Sequence, residues 1–331
     1  MTEPFRALMI VDHEGKPKAE FRELTLADLP DHDVLVEIAF STLNYKDGLA
    51  VSGKGRIARR LPMVAGVDFA GTVVESRSPE WQPGDKVVGN GWGMSETEWG
   101  AYSLYQRVKP EWLIRLPEAF DFKQAMAIGT AGYTAALCVD ALEDWGRIAK
   151  KDLPVLVTGA AGGVGSTAIS LLAAKGYAVT ASTGRPETHD YLTGLGATGF
   201  IERASLAEKG KPLDKERWSG AVDTVGSTTL ANVLAQTAYG GAVAACGLAG
   251  GMDLPATVAP HILRGVTLIG IDSVMTPRDK RERAWATLSG HLDKAQLETI
   301  AHVEPLSDLP RLAEEIVAGQ VRGRVIIDVR A

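Results

Sequence analysis

Residues Val155 to Gly165, VLVTGAAGGVG, set a run of small residues directly behind a short apolar stretch. In the G-x-G-x-x-G register the loop reads Ala160, Gly162 and Gly165, with Gly159 and Gly163 adding freedom. A glycine at 162 lets backbone approach a pyrophosphate, and one at 165 lets the following helix pack against its strand. The helix's first N–H groups lack intrahelical partners and its dipole favours negative charge there. An apolar strand before the loop and an amphipathic helix after it are the context that makes it a dinucleotide turn. The next strand ends on Ser182, Thr183, Gly184 and Arg185. An acidic residue there would bond the ribose 2′-hydroxyl of NAD and repel a 2′-phosphate; hydroxyls, backbone N–H groups and a guanidinium instead suit the phosphate of NADPH. Arg203 ends the third strand, where it could reach the same phosphate or simply face solvent.

Three other patterns fail. GLAVSGKG, residues 48–55, approaches a phosphate loop, but Gly55 stands where the magnesium-binding hydroxyl belongs. His13, His32, His189, His261, His291 and His302 show no H-E-x-x-H spacing and none lies beside a cysteine in ligand-like spacing, so a zinc mechanism has no support. GVGST is not the G-x-S-x-G elbow, so Ser166 belongs to the dinucleotide helix rather than acting as a nucleophile. One basic cluster stands out in GKGRIARR: Lys54, Arg56, Arg59 and Arg60 suit the phosphates of coenzyme A, or form an ordinary solvated loop.

These groups need elements to position them. With 331 residues, 45 % hydrophobic and 23 % charged, the chain can bury a substantial core in two domains. A net charge of −6 argues against nucleic acid as partner. The N-terminal MTEPFRALMI lacks the pattern of a secretory signal, and no later segment reads as apolar for long enough to span a bilayer, so the expectation is a cytoplasmic protein with no membrane partner. Cys138 and Cys246 each sit in an apolar segment and are read as buried thiols.

The first part, with DVLVEIAF and FAGTVVES between Gly/Pro turns, is β-rich. AMAIGTAGYTAALCVDALEDWG then reads as a helix, followed by six short strands, PVLVTG, YAVTAS, TGFIER, GAVDTVG, GGAVAACGLAG and VTLIGID, alternating with helices. This pattern predicts an α/β fold with a doubly wound parallel sheet in the order 3-2-1-4-5-6. TPRDKRERAWATLSGHL reads as a charged helix and RGRVIIDV as a closing strand, a tail too small to stand alone that should return to the first domain. The segment HILRGVTLIGIDSV could pair across a two-fold axis or be buried in its own sheet.

AGVDFAGTVVE, PGDKV, GAYSLY, GTAGYTA and GAAGGVGS together make the chain resemble the medium-chain dehydrogenase/reductase superfamily over nearly its whole length. Where zinc-bearing members carry metal ligands, this chain has LNYKD (43–47) and Gly66-Val67-Asp68, which is similar to the metal-free quinone and enoyl reductase branch. STLNYKDGLAVSGKGRI, STGRPETHDYL, AVDTVG, ACGLAGG and GIDSVMTP further resemble the acrylyl-CoA reductase (YhdH-type) family.

The resemblance implies a GroES-like substrate and catalytic domain over 1–125, completed by 275–331, and a Rossmann NADPH-binding domain over 126–274. It implies NADPH-dependent reduction of acrylyl-CoA to propionyl-CoA without zinc, commonly in a homodimer. By motif it places Tyr45 at the nicotinamide end, Ala161, Gly162, Gly163 and Val164 at the pyrophosphate, and Thr183, Gly184, Arg185 and Arg203 at the adenosine phosphate. Leu248, Ile262 and Ser273 fall on the nicotinamide side, and Thr130 and Arg324 join the cofactor set. For the chemistry, Tyr45 is either proton donor or a positioning group, with water its competitor, and backbone N–H groups or hydroxyls near Tyr45 and Asn44 are candidates to stabilise an enolate. Asp47 and Lys46 either form a polar couple at the site or are a turn-capping carboxylate and a surface amine. Asp68, in a metal ligand's place, is expected to order the domain interface. The alternatives are a zinc-free quinone or alkenal reductase and a non-catalytic NADPH-binding protein.

Overall fold

A computed structural model describes residues 3–145, 148 and 152–331; Met1, Thr2 and Gly146, which the sequence readings touched, lie outside them. The chain forms two compact units, one of residues 1–130, 273–282 and 297–331, the other of 131–272 and 283–296.

The first unit is built on β-strands. A hairpin of β1 (Phe5–His13) and β2 (Lys16–Leu24) turns at Glu14 and Gly15, both at positive φ, the backbone that two-residue hairpin loops require. β3 is Val34–Leu43, and β4 (Met63–Val64) adds to β1. The larger sheet continues with β5 (Asp68–Ser76), β6 (Lys86–Asn90), β7 (Tyr105–Val108) and β8 (Leu113–Arg115).

In the second unit, β9 (Val155–Val157), β10 (Val179–Thr183), β11 (Gly199–Glu202), β12 (Trp218–Asp223), β13 (Thr237–Ala245) and β14 (Thr267–Gly270) form one parallel sheet in the order β11-β10-β9-β12-β13-β14. This is the expected 3-2-1-4-5-6. β9, β10 and β12 are buried at every position, as strands deep in a parallel sheet must be. Leu156, Ala221, Val233, Leu234 and Val243 pack together in its core.

β15 (Ala301–Pro305) and β16 (Arg324–Asp328) lie in the first unit, where the sheet order is β15-β16-β3-β5-β6-β8 with β7 also on β3. β16 pairs antiparallel with β3, Val325 opposite Leu43. The charged helix of the tail spans Arg278–His291.

Two helices matter most to the site in the first unit: α1 (Tyr45–Val51) and the opening of α2 (Phe122–Asp144). α2 corrects one expectation: by length and composition it could cross a bilayer, but 89 % of its apolar window is buried in the protein. It is also not one continuous helix, because Gly129 adopts φ 51° and ψ −159°. A Cβ there would come within 2.4 Å of Arg324 Nη2, so the break makes room for a guanidinium.

Candidate active site

The glycine turn follows β9 at the point where strand order reverses between β9 and β12, the place where open α/β sheets bind ligands. Gly159 takes φ 58°, and a Cβ on it would lie 2.1 Å from Thr224 Oγ1. A Cβ at Gly165 would strike Gly159 O at 2.4 Å, so this glycine seats α3 (Gly163–Ala174) on the turn. Gly162 is different: a Cβ there would meet only Gly159 O, at 3.3 Å. Its free side is therefore open toward a ligand, beside Gly163 and Val164, with Ala161 buried beneath. Thr158 Oγ1 donates to Asp223 Oδ1 (2.7 Å) and accepts from Thr224 N (3.0 Å), tying the ends of β9 and β12 together. Burial pushes the Asp223 carboxyl above the usual carboxylate range.

At the end of β10 the residues expected at a phosphate are gathered. Ser182 and Thr183 are buried, Gly184 is exposed and Arg185 half-buried. Thr183 Oγ1 accepts from Arg185 N (3.1 Å), and Thr188 Oγ1 donates to Arg185 O (2.7 Å), which fixes the turn. A Cβ on Gly184 would come within 3.0 Å of Arg203 Nε, so that guanidinium lies against the bare glycine. Tyr191, which sequence reasoning missed, donates to Ser166 Oγ (2.8 Å), and Ser166 in turn donates to Ala160 O (3.3 Å) in the glycine turn.

Leu248 lines a cavity of about 490 Å³ with Ala245, Cys246, Gly247, Gly270, Ile271 and Asp272, at the carboxyl ends of β13 and β14. Cys246 is thus only half-buried, unlike the fully buried Cys138. Ile262 stands elsewhere in that unit, 74 % exposed on the helix Ala259–Arg264. Ser273 belongs to the first unit, where its carbonyl accepts from Arg281 Nη2 (3.4 Å).

In the first unit, Asn44, Asp47, Thr130 and Arg324 come together with Thr42, Asp68 and Tyr102. Asn44 caps α1 and Asp47 caps it in return: Asn44 N donates to Asp47 Oδ2 (2.9 Å). Asn44 Nδ2 reaches Asp47 Oδ2 and Asp68 Oδ2, each at 3.0 Å. Asp68 also accepts from Thr42 Oγ1 (2.8 Å) and from Thr130 N (2.7 Å). Arg324 donates to Asn44 Oδ1 (3.1 Å), Thr42 Oγ1 (2.7 Å) and Leu43 O (3.3 Å). Asn90 Nδ2 donates to Thr130 Oγ1 (3.3 Å).

Tyr102 enters this cluster because Gly66 and Gly100 admit it: a Cβ on Gly66 would lie 2.8 Å from Tyr102 Cδ1, and one on Gly100 2.3 Å from Gly66 O. Its hydroxyl donates to Thr42 O (2.9 Å). Burial, reinforced by the Asp68 charge, raises Asp47 to about 7. Burial likewise raises the Tyr102 phenol and lowers Arg324. Lys46 is bonded to Glu96, and its charge lowers Asp47 only as the last of several effects. Tyr45, 42 % exposed, is left free to meet a ligand at the start of α1. The signal for Tyr102 was its place in GAYSLY; nothing in its local sequence marked it as a member of the buried cluster around Thr42.

The basic loop is partly neutralised. Lys54 pairs with Glu314, and Arg59 lies 4.0 Å from Glu96. Arg56 is exposed, and Arg60 borders a separate cavity with His32, Glu98 and Trp99. Among the described residues no group of three or more His, Cys, Asp or Glu side chains is placed to hold a metal ion.

Against known proteins, the alcohol dehydrogenase GroES-like domain matches residues 30–118 and the zinc-binding dehydrogenase family matches 163–290. Acrylyl-CoA reductase AcuI of Ruegeria pomeroyi is 52 % identical over 99 % of this chain and 100 % of its own. The chain belongs to the acrylyl-CoA reductase family. The structure of Escherichia coli K-12 YhdH with bound NADPH superposes with TM-score 0.95 and 49 % identity, covering 98 % of this chain and 99 % of that one. Bacillus subtilis YhfP with NAD bound gives TM-score 0.94 and 42 % identity over 99 % and 100 %.

Proposed function

We propose that this chain reduces acrylyl-CoA to propionyl-CoA with NADPH. The observation that carries the reading is full-length likeness to a relative named as an acrylyl-CoA reductase, joined to a β10 terminus that offers Arg185 and Arg203 instead of a carboxylate. The residues fit the cofactor: the open side of Gly162 can receive a pyrophosphate, and the Gly184–Arg203 pair can receive a 2′-phosphate. When bound, NADPH supplies the hydride for the β-carbon. Ala161 to Val164 bind the diphosphate through backbone N–H groups, while Ser182, Thr183, Gly184, Arg185 and Arg203 hold the adenosine phosphate. Leu248 offers apolar surface toward the nicotinamide, and the family resemblance adds Ile262, Ser273, Thr130 and Arg324 to the cofactor set.

At the N-terminus of α1, Asn44 orients the corner from which Tyr45 projects. A thioester oxygen gathering enolate charge is stabilised by polar groups at that corner, and the α-carbon takes its proton from Tyr45 or from water it orders. Lys54, Arg56, Arg59 and Arg60 contact coenzyme A phosphates, Arg56 being the most available since Lys54 and Arg59 already have acidic neighbours. In this reading residues 1–125 with 275–331 form the substrate and catalytic domain and 126–274 the NADPH-binding domain. The enzyme works in the cytoplasm as a homodimer; support for the dimer is the edge position of β14 and the exposed Val258, Ile262 and Leu263 nearby in sequence.

The test is a steady-state comparison of NADPH and NADH oxidation with acrylyl-CoA, longer enoyl-CoA thioesters, acrolein and a simple quinone, with and without chelator. The expected result is chelator-insensitive turnover favouring NADPH and acrylyl-CoA. Faster quinone turnover would make the chain a quinone reductase, and tight NADPH binding without oxidation by any alkene would make it non-catalytic.

A further inference from the structure

The cluster behind Tyr45 has a proton count that its hydrogen bonds do not balance if both carboxyls are ionised. Asp47 and Asp68 face one cation, Arg324, and all three are buried. Two carboxylates against one guanidinium would bury a net negative charge, which a low-dielectric interior resists. The other ionisable groups facing Asp47 are Tyr102 and, on its own helix, Lys46, which is engaged by Glu96. The helix Leu309–Val317, which packs on α1, presents Ile316, Val317 and Ala313 to Gly48 and adds no charge there.

The bonds say which carboxyl holds the extra proton. Asp68 accepts at both oxygens, from Thr42, Asn44 and the Thr130 amide, so neither of its oxygens is left without a donor. Asp47 accepts only at Oδ2, from the Asn44 amide and side chain, while its Oδ1 is buried without a hydrogen bond. An orphaned carboxylate oxygen is costly, whereas a carboxylic acid O–H needs only an acceptor. The Tyr102 phenol and the Asp47 carboxyl act on each other electrostatically, and the Tyr102 hydroxyl has sent its own hydrogen to Thr42 O, which leaves its oxygen able to accept.

We infer that Asp47 is stored as a neutral carboxylic acid with its proton on Oδ1, donated to the Tyr102 hydroxyl, and that Tyr102 is thereby a positioning residue for the Asn44–Tyr45 corner. The elevated pKa of Asp47, about 7, agrees with this storage. The proton site rests on the burial and hydrogen bonds of the two carboxyls; its effect on turnover rests on the proposed reduction, since a corner that turns anionic opposes an enolate forming beside it.

The experiment is NMR of aspartate carboxyl carbons, recorded across the neutral pH range for the full chain and for Asp47→Asn and Tyr102→Phe. Asp140 and Asp223 are also raised by burial, so Asp47 is assigned by the signal missing from Asp47→Asn. That signal should titrate with a midpoint about 7 and fall by about one pH unit in Tyr102→Phe, where the acid has lost its acceptor. A carbon already ionised throughout that range overturns the storage. If Asp47→Asn does not fold, the midpoint that moves in Tyr102→Phe identifies the same group, and no moving midpoint overturns the proposal. The pH profile of kcat on acrylyl-CoA should descend through the wild-type midpoint and shift with Tyr102→Phe; a limb that stays put while the NMR midpoint moves overturns the positioning role. Absence of turnover in the wild type would strike the proposed reaction and leave the NMR result standing.

Discussion

The turn after β9 and the cluster behind α1 both gather polar groups at the end of a sheet, with opposite materials. The turn uses backbone: glycines at 159 and 165 fill space no side chain could enter, and Gly162 leaves space for a ligand. The cluster uses side chains drawn from residues 42 to 324, with two acids, one guanidinium and a limited supply of protons. Backbone N–H groups do not titrate in the neutral range, whereas a cluster with an acid near 7 does. Steric change should therefore break the first region and pH should move the second.

The largest effect is expected from Gly165→Ala. In an open helix this change would gain about 1 kcal/mol, but here the new Cβ meets backbone at 2.4 Å, so we expect a loss of about 3 kcal/mol or misfolding, read by denaturant unfolding, together with lost NADPH binding by titration. Stability equal to the wild type would show the turn to be more yielding than its contacts indicate.

Next comes Asp47. Its carboxyl rises from an ordinary 3.8 to about 7 on folding, so the folded state holds an extra proton between those values. The contribution is full below the lower value, falls as pH rises through the window by about 4 kcal/mol, and is gone above the upper. Unfolding measured against pH should show this decline relative to Asp47→Asn; parallel curves would place both regions on an equal, pH-indifferent footing. Arg185→Ala should weaken NADPH about tenfold to a hundredfold and leave NADH nearly unchanged, by fluorescence titration. Smallest is Arg56→Ala, which should raise KM for a CoA thioester about two- to fivefold and spare acrolein, because an exposed charge contributes little.

The two regions also differed in how far they could be read beforehand. The sheet order and the roles of Gly159 and Gly165 follow from a contiguous stretch whose apolar runs and glycines report their own geometry. The cluster does not, since no local periodicity joins Thr42 to Tyr102 or Arg324; only β3, β5 and β16 meeting in one sheet brings most of them together. Asn44 and Asp47 are recognisable as polar residues near Tyr45, but the sequence does not separate their capping of α1 from a couple with Lys46, whose ammonium bonds to Glu96. The break at Gly129 was hidden because its neighbours favour helix, and the reason for it lies nearly two hundred residues away.

The position of β16 has a consequence for biosynthesis. It sits between β15 and β3, so the larger sheet of the first unit has an open slot until residues 324–328 have been made. The parallel sheet needs nothing beyond Gly270, so it can assemble first although it is translated second. Arg324, the cation of the buried cluster, arrives on that final strand, and the nascent first unit must keep its two acids solvated until then.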